Sequence, residues 1–502
     1  MRTKKVFLNF ISEMLPQLII AAISFVRVRI FLAIIGSEIL GVYQLFGQIL
    51  AYLSLAELGL TDSAMYYLYK PLYEKNKERI NSLLSGIRKS FNIVVLVMIA
   101  IGLLIAPNVH FFIAENNLSN SFIFFAFVLT LFVNVLGYFS TTYTVLFNAD
   151  QNKYKYSFYT QGLLILRNLF DIGVILIFKN LYAVLITEVS FTILQNIVMR
   201  ILFKKYYSCY NLKAKPTMEF WSKTKSLVPH KIGGLIAYNI DVIIVSKFLG
   251  LTQVVVYNAY YAITSVIANI INKFSGASLA SVGNVLVSEP KRSYKIFLEY
   301  NDMLFFIATI LCVPISVVIS TFVKLWYGAS YTLSDFTMYL FVFNLLYGII
   351  RIILSVFSSA AALFKETLIC TYLESIINLT VSLLLIKRLG IAGLLIGTAV
   401  SMVVSEFLIK PFILNKYIFK DRIFKYYKDC FVYFVIIVIN CALMKYLVSF
   451  IKINNLLIWF VVGTLTFCLN FIVTYLVYKL LKKDAFLGRI KLIFKRGEAV
   501  ES

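Results

Sequence analysis

The sequence predicts an all-α protein that crosses a membrane about fourteen times, and three observations lead there. Sixty per cent of its 502 residues are apolar and 14% are charged, against about 25% charged in soluble domains. The apolar residues gather in runs at or above the ~20 residues that a bilayer-crossing helix needs. Lys and Arg, 48 against 24 Asp and Glu, concentrate in alternate loops between those runs.

The runs occupy residues 9–35, 40–69, 91–107, 121–148, 157–178, 181–203, 227–249, 253–287, 296–325, 335–363, 367–386, 391–415, 430–450 and 455–479. Those above thirty residues call for tilt or for extension past the hydrocarbon. No strand alternation competes with the helical reading. The first run carries Glu13 and Arg27 and is too long for the apolar core of a cleavable signal, so it reads as a span.

Orientation follows from charge. The amino terminus, the loops at 70–89, 149–156, 204–225, 288–295 and 416–428, Lys365 and the tail hold 33 Lys and Arg; the alternate loops hold five. The positive-inside rule then puts both termini in the cytoplasm. It also accounts for the net charge of +24, which in a soluble chain would point to nucleic acid; no nucleic-acid partner is expected. The tail from Lys479 to Arg496 interleaves Lys and Arg with Leu, Phe and Ile, as an interfacial amphipathic helix or a stop-transfer flank would.

Several chemistries are set aside. The six cysteines form no CxxC pair and the two histidines, His110 and His230, stand far apart, so neither a disulfide framework nor a metal site is expected. No P-loop, HExxH or GxSxG motif appears, and the longest external loop, near 107–120, cannot hold a catalytic domain. A transporter without cofactor, not an enzyme, is the expectation.

The chain repeats itself. Gly36 precedes Tyr43 by seven residues, as Gly250 precedes Tyr257; each glycine falls in an external turn between the first two spans of a half. Late in each half, Lys179-Asn180-Leu181-Tyr182-Ala183 answers Arg388-Leu389-Gly390-Ile391-Ala392. Six spans per half make the copies parallel, and two such bundles predict a V-shaped central cavity. The expected organisation is a first six-helix bundle at 1–203, a cytoplasmic linker at 204–226, a second bundle at 227–415, two further helices at 416–479 and a basic tail from 480. The recurrence of Gly393, Gly397, Ser401 and Ser405 reads as close helix packing.

Ionisable residues within spans carry the functional information, because each costs at least about 2.5–3.5 kcal/mol at mid-bilayer. Glu13, Gln17, Ser24 and Arg27 share one helical face, as do Asn258, Tyr261, Ser265, Asn269 and Asn272 with Lys273 beside them, and Asn344, Arg351, Ser355 and Ser358. Arg167 and Asp171 form an i,i+4 pair that either neutralises itself or contacts substrate. Lys231, Tyr238 and Asp241 lie on span seven. Glu374 and Glu406 read as structural, and Arg29 as a snorkelling side chain. The expected balance is a polar cavity with excess positive charge, suited to phosphate or carboxylate ligands.

Gly36-Ser37-Glu38-Ile39-Leu40-Gly41-Val42-Tyr43, followed by Leu55-Ala56-Glu57-Leu58-Gly59-Leu60, resembles the first two helices of the bacterial polysaccharide repeat-unit flippases of the multidrug/oligosaccharidyl-lipid/polysaccharide (MOP) superfamily, the O-antigen and capsule exporters. Asn239-Ile240-Asp241-Val242-Ile243-Ile244, Phe248-Leu249-Gly250 and Val256-Tyr257 are similar to the family's seventh helix and following turn, and Arg27 falls where such proteins carry a first-helix cation. Leu40 in place of an aromatic, Glu57 in place of Asp and the absence of Gly before Tyr257 depart from the pattern and leave the substrate open.

The resemblance implies flipping of an undecaprenyl-pyrophosphate-linked glycan across the bacterial inner membrane by alternating access. Membrane lipids, a polysaccharide polymerase and a chain-length regulator would be its partners. Arg27, Arg167, Lys231, Lys273, Arg351, Asn269 and Asn344 are the candidate substrate-binding residues, and Glu13, Asp171 and Asp241 the candidate ion-coupling residues. The alternative is an ion-coupled drug or cation antiporter of the same superfamily, which acidic cavity residues would favour.

Overall fold

The computed structural model describes residues 2–57, 59–114, 116–221, 240–420 and 423–486, with backbone alone at 2–11, 13–15, 55–56, 273–277 and 280. Among the described residues every regular element is helical. Among these residues twelve helical stretches are long and apolar enough to cross a membrane, and they coincide with twelve of the fourteen expected runs. The remaining two differ. Run 40–69 is broken: α2 (Ser37–Leu53) ends in a 3-10 turn at Ser54–Glu57, and α3 (Leu60–Glu74) restarts after Gly59, whose φ of +81° suits glycine. Run 227–249 falls mostly outside the described residues, which resume before α9 (Asp241–Leu249). Lys231 and the carboxy-terminal half of the tail also lie outside them.

Two compact units divide the chain, residues 1–255 and 256–502. The first holds α1 (Arg2–Ile34), α2, α3, α4 (Lys77–Ile105), α5 (Asn120–Tyr138), α6 (Thr141–Ala149), α7 (Tyr154–Phe178), α8 (Leu181–Tyr206) and α9. Side chains from the residue before each helix start α4, α5 and α8: Asn76, Ser119 and Asn180 accept from the backbone N–H of Arg79, Phe122 and Tyr182. α1 lies along α7, which packs on α8, and α5 also packs on α8. The α1–α7 pair runs parallel in constant register: Ser157 Oγ bonds the Ser12 carbonyl, Ser24 reaches Asn168 and Arg27 reaches Asp171, partners 144 or 145 residues apart.

The two glycine turns meet within this unit. Gly36 (φ +103°) precedes α2, and Gly250 (φ +90°) precedes α10 (Leu251–Ser288), whose first residues belong to the first unit. Ser37 Oγ lies 3.1 Å from Thr252 Oγ1. A Cβ on Gly41 would stand 2.3 Å from the Leu251 carbonyl oxygen, so glycine sets how closely α2 and α10 approach.

The segment after α8 folds back on α4. Ser82 Oγ donates to the Lys215 carbonyl (2.8 Å), Trp221 Nε1 to Ser90 Oγ (2.9 Å), and the Thr217 N–H to the Ser82 carbonyl (3.2 Å). Tyr207 pins the end of α8 by donating to Asp150 Oδ2 (2.8 Å). Burial, followed by that carboxylate, raises its phenol above the ordinary range.

The second unit holds the rest of α10 with α11 (Ser293–Trp326), α12 (Asp335–Ile350), α13 (Ile352–Ala360), α14 (Phe364–Leu389), α15 (Ile391–Met402), α16 (Lys410–Leu414), α17 (Phe424–Ser449) and α18 (Leu456–Leu480). α14 packs closely on α15, and the small-residue stripe explains how. A Cβ on Gly397 would stand 2.2 Å from Ser382 Oγ and 2.9 Å from the Asn378 carbonyl oxygen; one on Gly393 would stand 2.6 Å from the Leu385 backbone. The last helix, α18, docks on α11 by polar contacts in apolar surroundings: Asn470 Nδ2 donates to the Thr309 carbonyl (3.0 Å) and Trp459 Nε1 to that of Val318 (2.9 Å). Large apolar side chains elsewhere, such as Leu104, Phe178, Phe431 and Leu457, face outward, as in a protein whose solvent is lipid.

Candidate functional site

In the first unit, the polar stripe of α1 faces α7 and α8. Arg27 Nη1 lies 2.8 Å from Asp171 Oδ2 and 3.6 Å from Glu188 Oε1; Arg167 Nη2 lies 3.8 Å from the same Glu188 oxygen. Tyr43, seven residues past the Gly36 turn, donates to Glu188 Oε1 (2.6 Å), and Arg27 stands 5.8 Å from its ring centre. Asp171 is fully buried, and the Arg27 side chain is 13% exposed. Two guanidiniums thus share two carboxylates, held by α1, α7 and α8, with Tyr43 reaching in from α2.

The network is not saturated. Asp171 Oδ1 and Arg167 Nε are buried and make no hydrogen bond among the described residues. Such groups are uncommon at buried positions, and they leave polar capacity for a ligand or water.

Pairing here departs from the i,i+4 reading. Asp171 bonds Arg27, while Arg167 turns to Glu188, a residue that periodicity within one span did not single out. Ser24 Oγ, on the same face of α1, approaches Asn168 Oδ1 at 3.5 Å.

The second unit has its own charged cluster. Arg351, at the junction of α12 and α13, lies 2.7 Å from Glu374 on α14. Lys410 contacts both oxygens of Glu406 (3.0 and 2.9 Å) and donates to Ser355 Oγ (3.3 Å). Glu406 sits in a π-helical run, Val403–Ile409, whose Phe407 and Leu408 carbonyls accept from Tyr427 Oη on α17. π-helical turns are frequent at functional sites. Asn344 donates to the Leu395 carbonyl (3.2 Å), while its buried Oδ1 has no hydrogen-bond partner among the described residues.

Both clusters balance their charges, so the expected excess of cations is absent from them. Arg27, Arg167, Arg351 and Lys410 each face a carboxylate. The reason is tertiary: Glu188 and Glu374 come from neighbouring spans. Of the other candidates, Asn269 is exposed, and Asp241 opens α9 in the first unit. Lys231 and the side chains of Glu13 and Lys273 lie outside the described residues.

A third cluster joins the last helices to α11. Lys483 lies 2.7 Å from Asp429 and 3.7 Å from Asp302, and Tyr433 donates to Asp302. Among the described residues no group of His, Cys, Asp and Glu is arranged to hold a metal ion.

A family model described as polysaccharide biosynthesis protein matches residues 6–280, more than half of the chain. The chain belongs to this polysaccharide biosynthesis family. The match spans the whole Arg27 network. Comparison with curated proteins returns no match.

Solved structures of transporters share the fold of this family member. The inward closed lipid II flippase MurJ is similar at a TM-score of 0.65 and 14% identity, over 93% of this chain and 98% of that one. An inward-facing multidrug resistance MATE transporter of the MOP superfamily gives 0.66 and 12%, over 83% and 98%. A MOP-superfamily transporter from Pyrococcus furiosus, described as having a binding pocket of reverse polarity, gives 0.56 and 13%, over 82% and 96%. At these identities the likeness establishes the fold. The family member is a multi-pass membrane protein built like known transporters.

Proposed function

We propose that this protein translocates undecaprenyl-pyrophosphate-linked oligosaccharide repeat units across the bacterial cytoplasmic membrane by alternating access, for export of O-antigen or capsule, with both termini cytoplasmic. The observation that carries the reading is the buried, unsaturated Arg27–Asp171–Glu188–Arg167 network inside the region that matches the polysaccharide biosynthesis family.

A guanidinium binds a carboxylate and a phosphate by the same planar fork. In this reading Arg27 exchanges Asp171 for a pyrophosphate oxygen when Asp171 takes up a proton, which couples binding to protonation. Arg351 and Glu374 repeat the exchange in the second unit. Arg167, Lys231, Lys273, Asn269 and Asn344 contribute to headgroup binding, and Glu13 and Asp241 join Asp171 as coupling groups. A polymerase and a chain-length regulator act next on the exported glycan.

One observation favours the antiporter reading: both clusters hold as many carboxylates as cations. Reconstitution separates the two. Proteoliposomes should move a lipid-linked oligosaccharide, scored by a membrane-impermeant lectin, and Arg27→Lys should retain part of the rate that Arg27→Gln loses. Transport of organic cations against a proton gradient, with no lipid-linked substrate moved, would favour antiport.

A further inference from the structure

A cavity of about 250 Å³ opens in the first unit between α4, the α5–α6 junction and α8. Among the described residues its only charged lining residues are Arg88 on α4 and Arg200 on α8. Neither arginine forms an ion pair among the described residues, in contrast to Arg27, Arg167 and Arg351, which all face acids. Asn92, Tyr143 and Asn196 supply further polar groups. Asn196 Nδ2 donates to the Leu136 carbonyl (2.8 Å), which leaves its buried Oδ1 without a hydrogen-bond partner among the described residues.

The surroundings change character along the helix axes. On one side stand Lys204 and Lys205, both exposed, in the last turn of α8, the end that the Lys/Arg bias assigns to the cytoplasm; Lys89, also exposed, adjoins Arg88. On the other, the outward faces carry Leu96 on α4 and Ile193 and Ile197 on α8, all exposed. Arg88 and Leu96 are eight residues apart on one helix, about 12 Å at 1.5 Å per residue. A cationic pocket therefore borders an apolar, lipid-facing wall. At about 250 Å³ the cavity has room for a phosphate with its glycerol. Basic pockets between spans at the cytoplasmic side suit phosphate headgroups, and two guanidiniums offer them paired donors.

We propose that this cavity is a binding site for the headgroup of an anionic membrane phospholipid, with Arg88 and Arg200 on its phosphate and its acyl chains along Leu96 and Ile197. The site is separate from the Arg27 network and does not rest on the transport reading. Leu212, in the segment that folds back on α4, completes its wall.

The test is lipid retention by the delipidated full-length protein in detergent, read by native mass spectrometry and by melting temperature. Phosphatidylglycerol should bind and stabilise; phosphatidylcholine of the same chains should do so at least about tenfold more weakly. Replacement of each arginine, Arg88→Gln or Arg200→Gln, should weaken phosphatidylglycerol by about tenfold or more, the size of one charge-assisted hydrogen bond. Lys204→Gln with Lys205→Gln should weaken it less. Unchanged retention in the double arginine variant would overturn the proposal. So would an equal loss in the lysine variant, or stabilisation by inorganic phosphate equal to that by the lipid. A photoactivatable phosphatidylglycerol on the unmodified protein gives an independent reading: crosslinks should map to α4 and α8 around the cavity, and labelling confined to other helices would overturn the site.

Discussion

Removing Arg27 should damage the protein through the charges it leaves behind. Its Nη1 lies 2.8 Å from Asp171 and 3.6 Å from Glu188; at an effective dielectric constant of 20 these contacts correspond to gross attractions of about 6 and 5 kcal/mol. Most of that offsets desolvation, but truncating one partner of a buried pair still costs about 3–5 kcal/mol. Arg27→Gln leaves two buried carboxylates against Arg167 alone, at 3.8 Å from one of them. Asp171→Asn should cost less, because Arg27 keeps Glu188. The double variant restores neutrality and should recover to within about 1–2 kcal/mol of the parent, since charge-neutral replacement of a buried pair is often tolerated. The assay is membrane abundance together with thermal unfolding in detergent, run as a double-mutant cycle. Losses that add within about 0.5 kcal/mol would refute the network as an energetic unit. Recovery of stability without recovery of glycan export would assign Arg27 a second role in headgroup binding.

Other outcomes follow from specific contacts. Gly397→Ala should destabilise the α14–α15 packing by about 1–3 kcal/mol, as overpacking does, because its Cβ would stand 2.2 Å from Ser382 Oγ; Gly463→Ala, with nothing within 4 Å, should be nearly neutral by thermal unfolding. In a cysteine-free background and intact cells, an impermeant thiol reagent should modify Asn117→Cys and spare Lys77→Cys; the reverse pattern would contradict the orientation. Lys483→Gln should loosen the docking of α17 on α11, which would appear as faster amide exchange in α17, because Asp429 and Asp302 would lose their shared cation.

Much of the architecture is legible in the sequence because span length and loop charge are local properties. The face of α1 bearing Ser24 and Arg27, the two glycine turns and the small-residue stripe of α15 all stand where periodicity places them. Partner identity is another matter. Arg27 meets Asp171 across 144 residues and Tyr43 meets Glu188 across 145, separations that no helical period within one span encodes. Glu188 carried one available signal, a lone carboxylate in the middle of an apolar run, costly there unless paired. Arg351 lacked an acid at helical spacing in its own span, and the structure supplies Glu374 from the next long helix. The break at Ser54–Glu57 and the π-helical run at Val403–Ile409 depend on tertiary packing and leave little trace in an apolar pattern.

The central claim is that this protein flips a lipid-linked glycan already assembled in the cytoplasm. The most direct measurement is the leaflet distribution of carrier-linked repeat units in cells that lack it, by extraction combined with a membrane-impermeant sugar probe. The account predicts that the repeat unit accumulates on the inner leaflet while surface polysaccharide disappears, and that Arg351→Gln in an otherwise intact protein reproduces the block. Repeat units on the outer leaflet of the null strain, in a genome without a second flippase, would contradict it.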